Sequence, residues 1–276
     1  MFSPKRNFAT LIVLTMIIIF AWHTNLANAQ LPDYLVKDGL VSYWSFDEKD
    51  TKGRKVDDLA GDNQCEQVGA LEVVEGRVGE ALLYDGIENG VTCGNDASLA
   101  NIFDGGGTFM AWANPRGMGQ NDQGRLGDKN QWTLMQRFEG RGNILYVHAA
   151  FTTTAGAWRS PIDTFEFNEW YHGALVYDSS SDQNDPMVFV DGVNQELTVK
   201  TVPEGDYVDD TESIFGIGIR FHDLKRFFDG TLDEVAIYNR ALSEAEVRQN
   251  YDGLEGTAVA PADKLAITWA AVKTSR

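Results

Sequence analysis

The chain has 276 residues, of which 43% are hydrophobic, and its 41 Asp and Glu exceed its 23 Lys and Arg to give a formal charge of −18. So acidic a chain should repel nucleic acid and anionic membranes, which excludes both as expected partners. This negative charge is consistent with a role in solubility and with attraction for cations such as Ca²⁺, and net charge alone does not distinguish the two roles.

The first segment has the features of a secretory signal peptide. Two basic residues precede an apolar run at 11–22, and Ala27-Asn28-Ala29 provides a small-residue cleavage site. We therefore expect residues 1–29 to be removed and the mature chain, with a formal charge of −20, to be secreted or extracytoplasmic, in the periplasm or at the cell surface. A membrane anchor is the alternative, but the run is about 12 residues, short of the roughly 18 to 20 that a spanning helix needs. No second apolar segment of that length follows.

Residues 40–254 contain no Pro/Ser-rich linker, so we expect one domain, residues 30–256, and a tail, residues 257–276. Short apolar or alternating runs recur along this domain, and helical periodicity is almost absent before residue 243. This pattern predicts an all-β, two-sheet antiparallel sandwich or jelly roll. The predicted strands are 40–46, 66–70, 81–84, 91–93, 108–113, 132–138, 144–151, 157–160, 170–177, 187–190, 193–198, 214–219 and 232–238.

The connections between strands are of two kinds. Asp191-Gly192 lies between apolar flanks and predicts a two-residue hairpin turn, because these residue types accept the positive φ angles that the turn requires. Residues 116–130 are rich in Gly and turn-forming residues and predict a long loop. Binding residues often lie on such loops.

A short C-terminal helix is predicted just after residue 243. Ser243 and Glu246 have the spacing of a capping box, in which each residue satisfies a backbone N–H of the other. Leu242 and Val247 occupy the positions of a hydrophobic staple around it. Gly253 predicts the end of the helix, since glycine favours the residue that follows a helix.

Cys65 and Cys93 are the only cysteines. In an exported chain we expect them to form a disulfide, which would stabilise the fold by roughly 3 to 4 kcal/mol by restricting the unfolded chain. Two buried thiols are the alternative. A zinc site is disfavoured, because two cysteines outside a CxxC pair and three dispersed histidines do not have the spacing of zinc ligands.

Six segments in succession resemble the laminin-G-like branch of the concanavalin A-like lectin/glucanase superfamily, in the type found in exported bacterial proteins. They are 39–48, 76–86, 109–115, 169–178, 190–192 and 228–242. The resemblance implies a concanavalin A-like jelly roll with a concave sheet and rim loops, which bind glycans or proteins in many relatives. It does not imply one ligand, because the fold serves many functions.

The sequence lacks the catalytic pattern of the superfamily's glycanases. Those enzymes carry Glu-x-Asp-x-Glu, which places alternate carboxylates on one face of a strand. Residues 166–169 have the wrong spacing, and the adjacent Asp233 and Glu234 are expected on opposite faces of their strand. We therefore expect no catalytic residues. A diverged glycoside hydrolase or lyase of the same fold remains the alternative.

Calcium is the cofactor that the resemblance suggests. In lectin-like and glycanase relatives a structural Ca²⁺ often joins the end of the first strand to a late strand, and Asp47 and Asp233 occupy those positions. Carboxylate oxygens suit this ion. Equally, Asp47 could cap a turn, and Asp233 could pair with Arg240 or accept backbone hydrogen bonds.

The expected function is recognition of an extracellular glycan or glycoprotein. Trp158 lies in a less apolar stretch and is the candidate for an exposed ring that stacks on sugar. Arg137 and His148 would accompany it if the strand alternation places all three on one sheet face. A structural or adhesive protein-interaction domain, using residues 116–130 and the tail, is a further alternative.

Overall fold

A computed structural model of the protein describes residues 31–255. The predicted leader and the predicted tail lie outside the described residues. The strands are β1 (Leu40–Trp44), β2 (Thr51–Lys52), β3 (Lys55–Val56), β4 (Cys65–Val68), β5 (Glu72–Glu75), β6 (Glu80–Asp85), β7 (Gly90–Thr92), β8 (Gly107–Pro115), β9 (Arg125–Asp128), β10 (Trp132–Glu139), β11 (Gly142–Ala149), β12 (Gly156–Arg159), β13 (Tyr171–Tyr177), β14 (Met187–Val190), β15 (Val193–Asn194), β16 (Thr198–Thr201), β17 (Gly216–Ile217) and β18 (Asp229–Tyr238). One α-helix, α1 (Glu244–Glu255), follows β18, and short 3₁₀ turns occupy Glu48–Asp50, Ala97–Leu99, Gln120–Asp122 and Phe221–Asp223.

The strands form two antiparallel sheets, as the sequence predicted. The eight-stranded sheet has the order β15-β14-β13-β8-β18-β6-β5, with β1 also paired to β18. The ten-stranded sheet has the order β16-β12-β11-β10-β9-β17-β7-β4-β3-β2. Strands far apart in the chain are neighbours in both sheets, and this connectivity is that of a jelly-roll sandwich.

The main core lies between the sheets. It is built from the inward residues of both sheets and includes fully buried rings such as Trp44, Phe109 and Trp132. Trp132 stacks on Phe215 with ring centroids 5.7 Å apart. Burying such large rings removes much apolar surface from water, which is the main term that stabilises a sandwich of this size.

A smaller apolar cluster lies on the outer face of the eight-stranded sheet, beneath helix α1. Leu242 and Val247 are buried there with Tyr238, as the predicted staple requires. The capping box is also present, since the Ser243 N–H donates to Glu246 Oε2 at 2.9 Å and the Glu246 N–H donates to Ser243 Oγ at 3.4 Å. The helix thus covers one face of the sandwich.

The predicted hairpin and disulfide are confirmed. Asp191 and Gly192 connect β14 to β15 with φ angles of 52° and 72°. Cys65 and Cys93 form a disulfide. It lies beside the pairing of Glu66 with Thr92, so it joins neighbouring strands of the ten-stranded sheet.

Several details differ from the sequence-based expectation. The strand predicted at 193–198 is divided into β15, in the eight-stranded sheet, and β16, in the ten-stranded sheet. The helix continues past Gly253 to Glu255, and Gly253 serves a close approach instead, because a Cβ there would overlap the Tyr34 side chain. Residues 116–130 are not one continuous loop, since β9 lies within them. Its outward charged residues mask the alternating pattern, and only Leu126 marks its apolar side.

Candidate functional site

One face of the ten-stranded sheet points away from the core and carries polar and charged side chains. Arg137 on β10 lies opposite Ile144 on β11, and His148 on β11 lies opposite Thr133 on β10. Residues paired across antiparallel strands share a face, and every second residue along a strand returns to it. Arg137 and His148 therefore lie on the same face, which we call the outer face.

Trp158 lies on the opposite side of that sheet, so the prediction that it is an exposed stacking ring is wrong. It pairs with Val147, a core residue, and its exposed fraction is 0%. Its indole N–H donates to Asp185 Oδ1 at 2.7 Å. The adjacent Arg159 is the residue of β12 that shares the outer face, because it pairs with Tyr146.

A buried ion pair forms the base of the outer face. Arg125 Nε lies 2.8 Å from Asp128 Oδ2, and both side chains are less than 5% exposed. Burial raises the pKa of Asp128 and lowers the pKa of Arg125, and the attraction between the two charges opposes both shifts. Burial also lowers the pKa of His148, so its ring is neutral at pH 7. A neutral imidazole offers one donor and one acceptor to a ligand.

Two depressions flank a ridge formed by Phe221 and Ile214. One, of ≈ 240 Å³, is lined by these two residues with Asn130, Glu212, Ser213 and His222. The other, of ≈ 400 Å³, is lined by the same two residues and by Glu66, Thr92 and their neighbours. Phe221 is half-buried and His222 is exposed. The ridge therefore presents an aromatic ring beside polar side chains, which is the chemistry that neutral sugar faces and hydroxyl groups require.

A second group of carboxylates lies where the end of β1 meets β6 and β18. Asp233 Oδ2 accepts hydrogen bonds from the backbone N–H groups of Arg77 and Val78, at 2.8 and 3.0 Å. Asp47 Oδ1 accepts one from Glu80 N–H at 2.9 Å. Both aspartates thus bind the turn at residues 76–80. Burial and the charge of Glu234 raise the pKa of Asp233, and the charge of Asp47 adds to this, in keeping with the closeness of the two aspartates that the sequence suggested.

The glycines of this turn make the approach of the two aspartates feasible. A Cβ at Gly76 would lie 2.7 Å from Asp233 Oδ2, and one at Gly79, where φ is +60°, would overlap Asp47 Oδ1. Within residues 31–255, Asp233 Oδ1 is buried and has no hydrogen-bond partner. The site therefore retains one carboxylate oxygen whose hydrogen-bonding capacity is not used, which is costly unless a proton or cation occupies it.

Glu234 belongs to the same group, contrary to the expectation that it would face away from Asp233. The register of β18 shifts between Asp233 and Ala236, and Glu234 has a φ of 52°. This bulge breaks the two-residue alternation. The Glu234 carboxylate accepts hydrogen bonds from the hydroxyl groups of Tyr34, at 3.0 Å, and Tyr43. Glu234 and Asp233 consequently share the outer side of the eight-stranded sheet.

The acidic pair is strongly perturbed by its surroundings. Burial raises the pKa of Glu234 to about 7, and the charge of Asp47 acts in the same direction. Burial, followed by the charge of Glu234, raises the pKa of Asp233 well above its usual range. Lys49, whose amine lies 3.1 Å from Asp47 Oδ2, is a nearby cation. The alternative partner Arg240 instead pairs with Asp38 and Glu246.

Sequence reasoning missed Phe221, the Arg125–Asp128 pair and the role of Glu234. None of these carries a local signal. Arg125 and Asp128 are three residues apart, a spacing that a regular strand places on opposite faces, and the irregular register of β9 with β10 brings them together. Across residues 31–255, no group of three or more acidic, His or Cys side chains has an arrangement suited to a metal ion. The helices in that range are too short or too polar to cross a membrane.

Comparison with known proteins places the chain among laminin-G-like domains. The model of the laminin G type of the concanavalin A-like lectin/glucanases superfamily matches residues 85–248, more than half of the chain. A comparison with curated protein sequences gave no match.

Several solved structures share the fold at low sequence identity. Domain 4 of AbnA, an extracellular GH43 arabinanase from Geobacillus stearothermophilus solved in complex with arabinotriose, has a TM-score of 0.55 at 17% identity, over 76% of this chain and 96% of that one. The binding domain of Paraclostridial Mosquitocidal Protein 1 has a TM-score of 0.58 at 20% identity, over 78% and 52% of the respective chains. Trypanosoma rangeli sialidase, in complex with sialic acid, has a TM-score of 0.55 at 18% identity, over 81% and 34%. The chain thus spans about half of the second protein and a third of the third.

Proposed function

Because the chain belongs to the concanavalin A-like lectin/glucanases superfamily, we propose that it is a secreted, non-catalytic domain that binds extracellular carbohydrate, free or on a glycoprotein. Support comes from the AbnA domain, a fold relative that was solved with a bound oligosaccharide. The disulfide between Cys65 and Cys93 suits an oxidising, extracytoplasmic compartment. Mass spectrometry of the exported protein should find Gln30 as its first residue, and a retained leader would contradict export by cleavage.

The outer face of the ten-stranded sheet is the binding surface in this proposal. The observation that carries it is the partly exposed ring of Phe221 between two depressions. Glu66 and Thr92, which line one of them, pair across β4 and β7 and alternate with the core residues Cys65 and Val91, so this depression opens on the sheet face that also carries His148 and Arg137. Helix α1 covers the corresponding face of the other sheet. An aromatic ring provides a stacking surface for a sugar, while Asn130 and Glu212 offer hydrogen bonds to its hydroxyl groups.

A glycan array tests this function. Phe221→Ala should weaken binding to the selected glycan about tenfold, the effect of losing one aromatic contact. Phe167→Ala is the matched control, because Phe167 is also a partly exposed phenylalanine but does not line either depression. Both variants should melt near the wild-type temperature. Absence of binding to every glycan, with and without CaCl₂, would contradict the proposal, and equal weakening by both variants would contradict the assignment of the surface.

The non-catalytic part of the proposal rests on how the acidic pair is enclosed. Asp233 and Glu234 are at most 5% exposed, and backbone N–H groups and tyrosine hydroxyls occupy oxygens of both. A glycosidase needs one carboxylate on each side of an accessible glycosidic bond. Incubation with the polysaccharide that the array selects should therefore release no reducing sugar. Release that Glu234→Gln abolishes would establish the diverged-enzyme alternative instead.

Calcium bound by Asp47 and Asp233 is the second part of the proposal. Asp233 Oδ1 fits a hard cation, since it has no partner in the described part of the chain and the nearby Asp47 supplies a second carboxylate. Ca²⁺ would neutralise these buried charges and join the end of β1 to the turn at residues 76–80. Its role would be structural, because neither aspartate lies on the outer face of the ten-stranded sheet.

Thermal unfolding in EDTA and in CaCl₂ tests the calcium site. At pH 8, where Glu234 is ionised, 1 mM CaCl₂ should raise the melting temperature of the wild type by several degrees. Asp233→Asn should abolish this increase, and Asp229→Asn, at the other end of β18, should leave it unchanged. An identical melting temperature in EDTA and in CaCl₂ would contradict the proposal.

A further inference from the structure

The basic side chains of the ten-stranded sheet are concentrated on part of its outer face. Arg137 and Arg159 share this face by strand register, and Lys200 on β16 reaches Glu139, two residues from Arg137. Arg125 lies on the same face, because it pairs with Met135. The loop after β17 adds Arg220 and Arg226. The Arg226 carbonyl accepts a hydrogen bond from the Arg125 backbone N–H at 3.2 Å, and burial together with the charges of Arg220 and Arg226 lowers the pKa of Arg125. We call these six residues, Arg125, Arg137, Arg159, Lys200, Arg220 and Arg226, the cationic patch.

Too few carboxylates lie in the patch to neutralise it. At one end, Glu139 Oε1 is 2.7 Å from Lys200 Nζ and 3.5 Å from Arg159 Nε. Arg137 acts on the same carboxylate, and the three cations together lower the pKa of Glu139. One negative charge therefore opposes three positive charges. The Arg137 guanidinium lies 4.7 Å from the centre of the Tyr146 ring, which holds it over the sheet without neutralising it.

The other end has a similar imbalance. Asp128 pairs with the buried Arg125, and Asp223 pairs with Arg220 at 2.7 Å. Asp223 also lies 3.5 Å from Lys225, a further cation. Arg226 Nε is buried and has no hydrogen-bond partner in the described part of the chain. Among the ion pairs of residues 31–255, the six cations of the patch therefore face three carboxylates, Glu139, Asp128 and Asp223.

A positive region is unexpected in this protein, because the chain as a whole carries a formal charge of −18. Its remaining surface should repel polyanions, so a negatively charged ligand would be directed to the patch. Guanidinium groups match the geometry of carboxylate and sulfate oxygens, to which they donate paired hydrogen bonds. The half-buried Tyr146 ring and the neutral His148 add contacts for uncharged parts of a sugar.

Building on the function proposed above, we propose that the ligand is an acidic polysaccharide, bound through its carboxylate or sulfate groups by the cationic patch. Neutral glycans would contact the Phe221 ridge and lack the ionic contacts. The patch therefore supplies the preference for charge, and the ridge supplies general affinity for sugar rings.

Two pairs of polymers that differ in charge test this inference with the full chain. Polygalacturonate is compared with its methyl ester, and dextran sulfate with dextran, at 20 mM and at 300 mM NaCl. We expect binding to at least one charged polymer to exceed binding to its neutral counterpart by about tenfold at low salt and to fall at high salt. The two pairs distinguish recognition of carboxylates from recognition of sulfates.

Variants connect the binding to the patch. Arg137→Gln with Arg159→Gln should weaken binding to the charged polymer about tenfold, whereas Lys37→Gln with Arg248→Gln removes two exposed cations elsewhere and should change it less than twofold. Glu139→Gln should strengthen binding, because it removes the carboxylate that three cations share. A purely structural role for these residues would not produce that increase.

The outcomes separate this inference from the function on which it rests. Equal binding to charged and neutral polymers would contradict the inference that the ligand is acidic. Binding to neutral glycans alone, weakened by Phe221→Ala, would contradict it too. Both results are compatible with carbohydrate recognition. If the Arg137 and Arg159 variant and the Lys37 and Arg248 control weaken binding to the charged polymer equally, the cationic patch is not the binding site. Failure to bind any of the four polymers overturns the acidic ligand, and only an array without any binding also overturns the function.

Discussion

Replacing Glu234 with glutamine should make the stability of the protein less dependent on pH. Burial raises the pKa of Glu234 from 4.5 to about 7, so the folded protein holds this proton at a pH where the unfolded chain releases it. The contribution of the protonated group to stability is complete below pH 4.5 and is lost as the pH rises through about 7. By linkage, this pKa shift lowers the free energy of unfolding by about 2.5 kcal/mol between pH 5 and pH 8. The charge of Glu234 also raises the pKa of Asp233, which acts in the same direction.

The assay is urea unfolding at several pH values from 5 to 8, in EDTA so that no bound cation compensates the charge. The amide introduced by Glu234→Gln would keep an oxygen that accepts from the Tyr34 and Tyr43 hydroxyls. Relative to Glu234→Gln, the wild type should lose about 2.5 kcal/mol more of its free energy of unfolding over this range. Glu88→Gln, an exposed position, should follow the wild type. A difference between wild type and Glu234→Gln that is the same at every pH would refute the reasoning.

Three further substitutions test other parts of the structure. Burial lowers the pKa of His172 from 6.5 to about 3, so the folded protein loses stability as the pH falls below 6.5. In the same unfolding series the wild type should lose about 2 kcal/mol more of its free energy of unfolding between pH 8 and pH 5 than His172→Phe. Cys65→Ser with Cys93→Ser should lower the free energy of unfolding by about 3 to 4 kcal/mol, and reduction of the wild type by dithiothreitol should match it. Trp158→Ala should cost about 3 to 5 kcal/mol in urea unfolding, and unchanged stability would contradict its burial.

The fold was predictable because its signals are local and mutually consistent. Asp191-Gly192 specifies a hairpin turn by its backbone preferences, and Ser243 with Glu246 specifies a helix start by two reciprocal hydrogen bonds. Neither requires knowledge of distant residues. The same is true of the alternating runs that became the longer strands of both sheets.

The candidate site was less predictable, because it depends on the face that each strand presents. Trp158 and Arg159 are equally plausible binding residues in the sequence, and only the pairing of β12 with β11 places the first in the core and the second outside. A single bulge at Glu234 likewise reverses the expected direction of one carboxylate. Strand register is fixed by contacts between distant segments, and a shift of one residue moves every side chain to the other face.

The two ends of the described domain meet on one side of the sandwich. The Val36 N–H donates to Asn250 Oδ1 on helix α1 at 2.8 Å, and the Gln249 amide donates to the Tyr34 carbonyl at 3.0 Å. This side is opposite the outer face of the ten-stranded sheet. Joining the domain to another module or to a surface through either end of the described range would therefore display the proposed binding face outward. Several copies tethered in this way could engage one polymer together and gain avidity without any change in the individual site.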